Sequence, residues 1–290
     1  MNYKSIELCD KKIFDEYYKT HEQYSGYLSF TTLYTWKELG NFRYAIYDGE
    51  MIIKLSDNEE TYLLAQTTKE SIKKVVDFIL TCGNVKLKAL SKNQVEILKE
   101  LYGEMFTVNH IRDNDNYYYL TESMISLQGK KLHSKRNFIN RFKKENEYSY
   151  ERITKDTVNE CINVAKEWCE RKNCNKGGSL INELSACEIG LLNMDSLGLK
   201  GGAIRVGGKI VAFSLGELLN EKTVLVHFEK ADTDYNGIYQ VINNEFLKNE
   251  WADTIYVNRE EDMGVEGLRK AKMSYCPEFL LEYYEAIKSN

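Results

Sequence analysis

No apolar run in the chain approaches the about 18 residues that a membrane-spanning helix needs. Its opening, MNYKSIELCDKKIFDEYY, lacks the basic-then-apolar profile of an export signal, so a cytoplasmic location is expected. Cysteine pairs of the CxxC type are missing too. The seven cysteines, an odd number, are expected as reduced structural thiols. Cys169 and Cys174 are followed by no His or Cys pair at zinc-site spacing, so no metal is expected. Nor is there an excess of positive charge. With 39 Lys and Arg against 44 Asp and Glu, the net charge of −5 excludes binding to nucleic acid through overall charge, and an anionic partner has to be held by a local basic patch.

Several catalytic signatures are also absent. GVEGLRKAK lacks the Lys-Ser or Lys-Thr ending of a phosphate-binding loop, GIY alone does not make a nuclease, and no Ser, His and Asp set has a hydrolase context. His21, His110 and His133 read as surface or satisfied core residues.

What is present is the composition of a globular protein, 43% hydrophobic and 29% charged over 290 residues. That length suits two domains with real cores and little disorder, placed at 1–125 and 126–290. In the first, helical patterning to about residue 37 precedes FRYAIYDGEMIIKLSD, a hairpin turning at Asp48-Gly49. Strand TYLLAQ, a helix over 69–82, a helix from about Ser91 and strand NYYYL follow.

The second half opens on a basic run. Positions 130, 131, 135, 136, 141, 143 and 144 are Lys or Arg, and Lys130 to Lys144 contains no acid. Ser134 is positioned to cap a helix with Phe138, Ile139 and Phe142 on one side and Arg136, Asn137, Asn140, Arg141 and Lys144 on the other. Such a run is either a solvated helix or a contact for a phosphate-bearing ligand. Helices around DTVNECINVAKEWCERK and NELSACEIGLLNMDSL lead to GGAIRVGGKIVAFSLGELLNEKTVLVHFEKAD, a meander of three antiparallel strands turning at Gly207-Gly208 and Asn220-Glu221. Loop TDYNG, helix IYQVINNEFLKNEW and strand TIYVN come next, then a charged stretch holding the one proline.

This element order resembles the GNAT-like acyltransferase fold, in which two strands part around an acyl donor and the next helix starts toward its phosphate. The segments LQGKKLHSKRNFINRF, VHFEKADTDYNGIYQVINNEF and YVNREEDMGVEGLRKAKMSYCP together resemble the DUF2156 family. That family is related to the C-terminal catalytic domain of phosphatidylglycerol lysyltransferases and, more distantly, to FemABX aminoacyltransferases. The resemblance implies a mixed α+β chain of tandem GNAT-like domains, the second carrying the cleft. It also implies an acyltransferase that passes an aminoacyl group from aminoacyl-tRNA to a lipid headgroup or another small acceptor. The transmembrane portion usual in lysyltransferases is lacking, so a lipid acceptor requires peripheral contact with an anionic membrane.

One alternative is an N-acetyltransferase using acetyl-CoA, although TDYNGIYQ offers only Gly237 where a pyrophosphate loop carries paired glycines. Another is a binding protein on the same fold.

Alternation along TVLVHFE places Leu225, His227 and Glu229 on one face, with Glu229 as candidate general base and Lys230 as its neighbour or ion-pair partner. Asn236 and Gly237 open a helix whose free N–H groups suit a phosphate or oxyanion. Asn258 comes at the end of strand TIYVN, where the resemblance implies a polar residue near the donor. Arg259 is assigned to developing negative charge, Glu260 and Asp262 to a cationic amino acid, and Arg269 and Lys272, with Lys131 and Arg136 of the basic run, to phosphate.

Overall fold

The computed structural model describes residues 1–21, 25–56, 60–172, 174 and 179–289. In chain order its elements begin with β1 (Lys4–Ser5), α1 (Lys11–Tyr18), α2 (Phe30–Thr35), α3 (Lys37–Gly40), β2 (Phe42–Tyr47), β3 (Glu50–Ser56) and β4 (Glu60–Leu64). Next come α4 (Lys69–Leu80), β5 (Val85–Leu90), α5 (Lys92–Tyr102), β6 (Phe106–His110), β7 (Asn116–Leu120), α6 (Thr121–Ser126), α7 (His133–Glu145) and β8 (Tyr148–Arg152). Then follow α8 (Val158–Arg171), α9 (Ser179–Leu192), α10 (Met194–Leu197), β9 (Lys200–Val206), β10 (Lys209–Asn220) and β11 (Thr223–Ala231). The last are α11 (Ile238–Glu250), β12 (Tyr256–Asn258), α12 (Glu266–Met273), β13 (Phe279–Leu281) and β14 (Tyr284–Lys288).

Two compact units result. The first comprises 1–116, 261–264 and 280–290, and the second 117–260 and 265–279. The first unit's sheet runs β1-β2-β3-β4-β5-β14-β6, so the final strand enters between β5 and β6. Its hairpin turns at Asp48 and Gly49, both with positive φ, as the Asp-Gly pair requires. Thr68 caps α4 by accepting from the Ser71 N–H, and Ser91 and Gln94 form a reciprocal capping box on α5. The core between sheet and helices includes Ile52, Tyr62, Ile72, Val76, Leu87 and Leu98.

The second unit's sheet runs β13-β7-β12-β11-β10-β9-β8. The β9-β10-β11 meander forms as its turn residues dictate, with Gly207 and Gly208 at φ +57° and +82°. In both sheets a strand is followed by a helix and then by a parallel partner: β4, α4, β5 in the first and β11, α11, β12 in the second.

Two local expectations are corrected. The basic run does form a helix, but α7 begins at His133, its N-cap is Leu132, and no side chain caps it, so Ser134 already lies within the first turn. Phe138 is 40% exposed, leaving Ile139 and Phe142 to bury the apolar face. Cys169 and Cys174, expected as free thiols, are paired as a disulfide. The end of α8 at Arg171 lets the chain return within a Cα separation of 5.3 Å, a spacing that a disulfide spans.

Candidate functional site

In the second unit β11 and β12 pair only over Thr223–Leu225 against Tyr256–Asn258. Beyond that, β11 continues to Ala231 while the partner chain turns away. Asn258, wholly buried, directs the turn: its Oδ1 accepts from the Glu260 N–H at 2.8 Å, and Glu260 adopts φ +56°. Side chains bridge the gap between the parted strands.

One bridge is ionic. Arg259 Nη2 donates to Glu229 Oε1 at 3.0 Å, and Glu229 Oε2 accepts from Asn243 Nδ2 of α11, also at 3.0 Å. Burial disfavours the Arg259 charge, but Glu229 opposite more than offsets this and holds the guanidinium protonated. The other bridge is His227, whose Nε2 meets Glu217 Oε1 at 3.0 Å and whose Nδ1 meets Glu260 Oε1 at 3.2 Å. Burial alone would keep this imidazole neutral. Its two carboxylate partners reverse that and push it up to about 9, so at neutral pH it is an imidazolium donating through both nitrogens.

A bulge sets up this arrangement. The β10–β11 register passes from Leu215 opposite Phe228 to Gly216 opposite Val226, leaving His227 as the extra residue. Simple alternation therefore fails here. Val224 lies with Gly216 and Phe246 on the α11 side, and Glu229 also reaches α11, whereas Phe228 packs against Gly190 of α9. The inserted residue reverses the sidedness of every later position, so Leu225, His227 and Glu229 do not share one face as expected.

Around the Arg259–Glu229 pair the structure gathers Asn243, Lys272, whose Nζ donates to the Arg259 carbonyl at 2.6 Å, and Tyr275, whose ring lies 5.2 Å from the guanidinium. Other expected site residues lie elsewhere. Lys131 is exposed, and Arg136 is spent on the carbonyls of Leu127 and Gly129. Lys230 is buried over the Trp168 ring and pairs with Glu183. Asp262 belongs to the first unit, fully buried, where it accepts from the Gly264 N–H at 2.9 Å and lies 3.4 Å from Arg112. Arg269 is half-buried on α12. Asn236 is exposed beside Gly237, the N-cap of α11, and at Gly237 a Cβ would stand 2.7 Å from the Phe138 carbonyl oxygen of α7.

Three participants escaped the sequence reading: Asn243, Tyr275 and Lys135. Lys135 is 9% exposed, and its Nζ donates to Ser274 Oγ at 2.6 Å and lies 4.4 Å from the centre of the Tyr275 ring. A signal for it did exist. Lys135, Ile139 and Phe142 fall at i, i+4 and i+7, on the buried face of α7.

The phosphatidylglycerol lysyltransferase C-terminal family profile matches residues 18–287. A conserved protein of unknown function from Bacteroides thetaiotaomicron is 35% identical, with full coverage of both chains and a TM-score of 0.91. The C-terminal domain (DUF2156) of a putative lysylphosphatidylglycerol synthetase from Agrobacterium fabrum has a TM-score of 0.68 at 13% identity, covering 97% of this chain and 93% of that one. An uncharacterised protein from Mycoplasmoides gallisepticum is 26% identical over 200 residues, which span 67% of this chain but only 59% of that relative. Among the described residues no helix is long and apolar enough to cross a membrane, and no group of three or more His, Cys, Asp or Glu could hold a metal ion.

Proposed function

Because the chain belongs to the phosphatidylglycerol lysyltransferase C-terminal family, an acyltransferase family on a tandem GNAT-like fold, we propose that it transfers an aminoacyl group from aminoacyl-tRNA to a lipid headgroup or another small acceptor. The observation that carries this reading is the Arg259–Glu229 pair across the parted strands β11 and β12.

In the proposed reaction an acceptor hydroxyl or amine attacks the aminoacyl carbonyl carbon. A new C–O or C–N bond forms, the ester bond to the terminal ribose breaks, and the nucleophile's proton passes to the departing ribose oxygen. Arg259 has N–H donors beyond the one given to Glu229, and they can stabilise the oxyanion. Glu229 already accepts one bond at each oxygen, but each keeps a second lone pair with which to carry the proton. His227 is unsuited to act as base, since both its nitrogens are donors; it fixes Glu260 and thereby the turn that delivers Arg259. The exposed Lys130 and Lys131 just before α7, with Lys144 and Phe138 on it, supply the anionic contact, whether a tRNA backbone or a lipid surface.

The test is transfer of radiolabelled amino acid from charged tRNA to phosphatidylglycerol vesicles or soluble amine and hydroxyl acceptors. Label should move with the native chain and not with Glu229→Gln. Acetyl transfer from acetyl-CoA, with charged tRNA inert, would overturn the reading.

A further inference from the structure

The basic run holds seven cations, and the fold draws one of them inward. Lys135 is nine-tenths buried, yet among the described residues no carboxylate lies within ion-pairing distance of its ammonium group. Its hydrogen-bond partner is a hydroxyl, and the Ser274 Oγ–H is itself committed to the Ala271 carbonyl at 2.6 Å, so that oxygen can only accept from the lysine. Beneath the ammonium lies the Tyr275 ring, which the Arg259 guanidinium shares. Burial first, and Arg259 second, press the lysine below its ordinary pKa. Two cations thus meet at one aromatic ring, and Glu229 answers only Arg259. Buried cations are ordinarily matched by anions, so this surplus of positive charge marks a place for one.

We propose that Lys135 and Arg259 form a subsite for a phosphate-ester group of the substrate, with Tyr275 as its floor. A phosphate suits the pair because a planar guanidinium takes two of its oxygens side by side while an ammonium acts as a point charge on a third. The assignment rests on the acyl-transfer reading only for which molecule brings the phosphate: the terminal nucleotide of the donor or the headgroup of the acceptor. Lys135 is then a substrate-binding residue, and its placement on the apolar face of α7 fixes that helix to the site.

The experiment is calorimetric titration of the full chain with inorganic phosphate, adenosine 5′-monophosphate and sn-glycerol 3-phosphate, repeated with Lys135→Met. Loss of one charge-assisted hydrogen bond should weaken binding by about tenfold or more. The melting temperature should hold or rise, because a buried unpaired cation has been replaced by an apolar chain of similar length. Lys135→Arg, which keeps the charge, should recover part of the affinity. Preference for the nucleotide assigns the subsite to the donor and preference for glycerol phosphate to the acceptor; either supports it. A lower melting temperature with unchanged affinity would make Lys135 a structural residue and overturn the proposal, as would failure of all three probes to bind. The two readings fail separately. Binding that depends on Lys135 without aminoacyl transfer refutes the function alone, and full transfer by Lys135→Met refutes the subsite alone.

Discussion

His227 makes a prediction whose sign and size follow from its surroundings. It is buried between Glu217 and Glu260, which push its pKa up to about 9 from an ordinary 6.5. A group that binds its proton more tightly in the folded state stabilises that state whenever the unfolded chain would also be protonated. The contribution is therefore complete below about pH 6.5, declines as pH rises, and is gone above about pH 9. The corresponding free energy is about 3 kcal/mol, a large fraction of the stability of an ordinary domain. Urea unfolding at pH 6, 7.5 and 9.5 measures it when the native chain is compared with His227→Gln, which keeps one donor for the flanking carboxylates but cannot titrate. The native chain should lose its stability advantage over the variant across this interval. Parallel pH profiles for the two proteins would refute the doubly paired imidazolium.

Other expectations concern neighbouring groups. Arg259→Met leaves Glu229 as a buried carboxylate without its ion-pair partner and should cost about 3 to 5 kcal/mol in denaturant unfolding. Adding Glu229→Gln should restore much of that stability without restoring turnover, which separates the structural from the chemical role of the pair. Gly237→Ala places a Cβ 2.7 Å from the Phe138 carbonyl oxygen at φ +87°, and thermal melting should register a loss of more than about 1 kcal/mol. If charged tRNA is held through two or three phosphates, its KM should rise by about tenfold between roughly 50 and 200 mM salt, while an acyl-CoA substrate would respond much less.

The sequence displayed local structure more clearly than it displayed the site. Asp48-Gly49 and Gly207-Gly208 announce their hairpins because only a few residue types accept positive φ, and that constraint acts within two positions. Glu229 and Arg259 were recognisable as chemistry-bearing residues near strand ends, and they do meet. The bulge at His227 was not legible, because it depends on how β10 registers against β11 and every side chain beyond it changes face. Lys135 was hidden among like charges. Charge counting treats seven basic residues alike, whereas helical spacing singles out the one aligned with Ile139 and Phe142. Asp262 shows the opposite failure: in a run of acids it reads as a carboxylate for a cationic amino acid, but it is wholly buried, beside the partly exposed Arg112, and accepts from a turn N–H.

The position of β14 has a consequence for synthesis on the ribosome. The first sheet places this strand between β5 and β6, pairing Tyr284 with Leu90 on one side and with His110 on the other. The interior of that sheet therefore stays open until Tyr284–Lys288 has left the exit tunnel, however early its other strands emerge. A nascent chain halted before Tyr284 exposes two strand edges, which are ready templates for association with another chain. Native closure of the sheet between β5 and β6 thus waits for a strand that is made much later in the chain, and loss of Tyr284–Lys288 strikes strands that were made long before it.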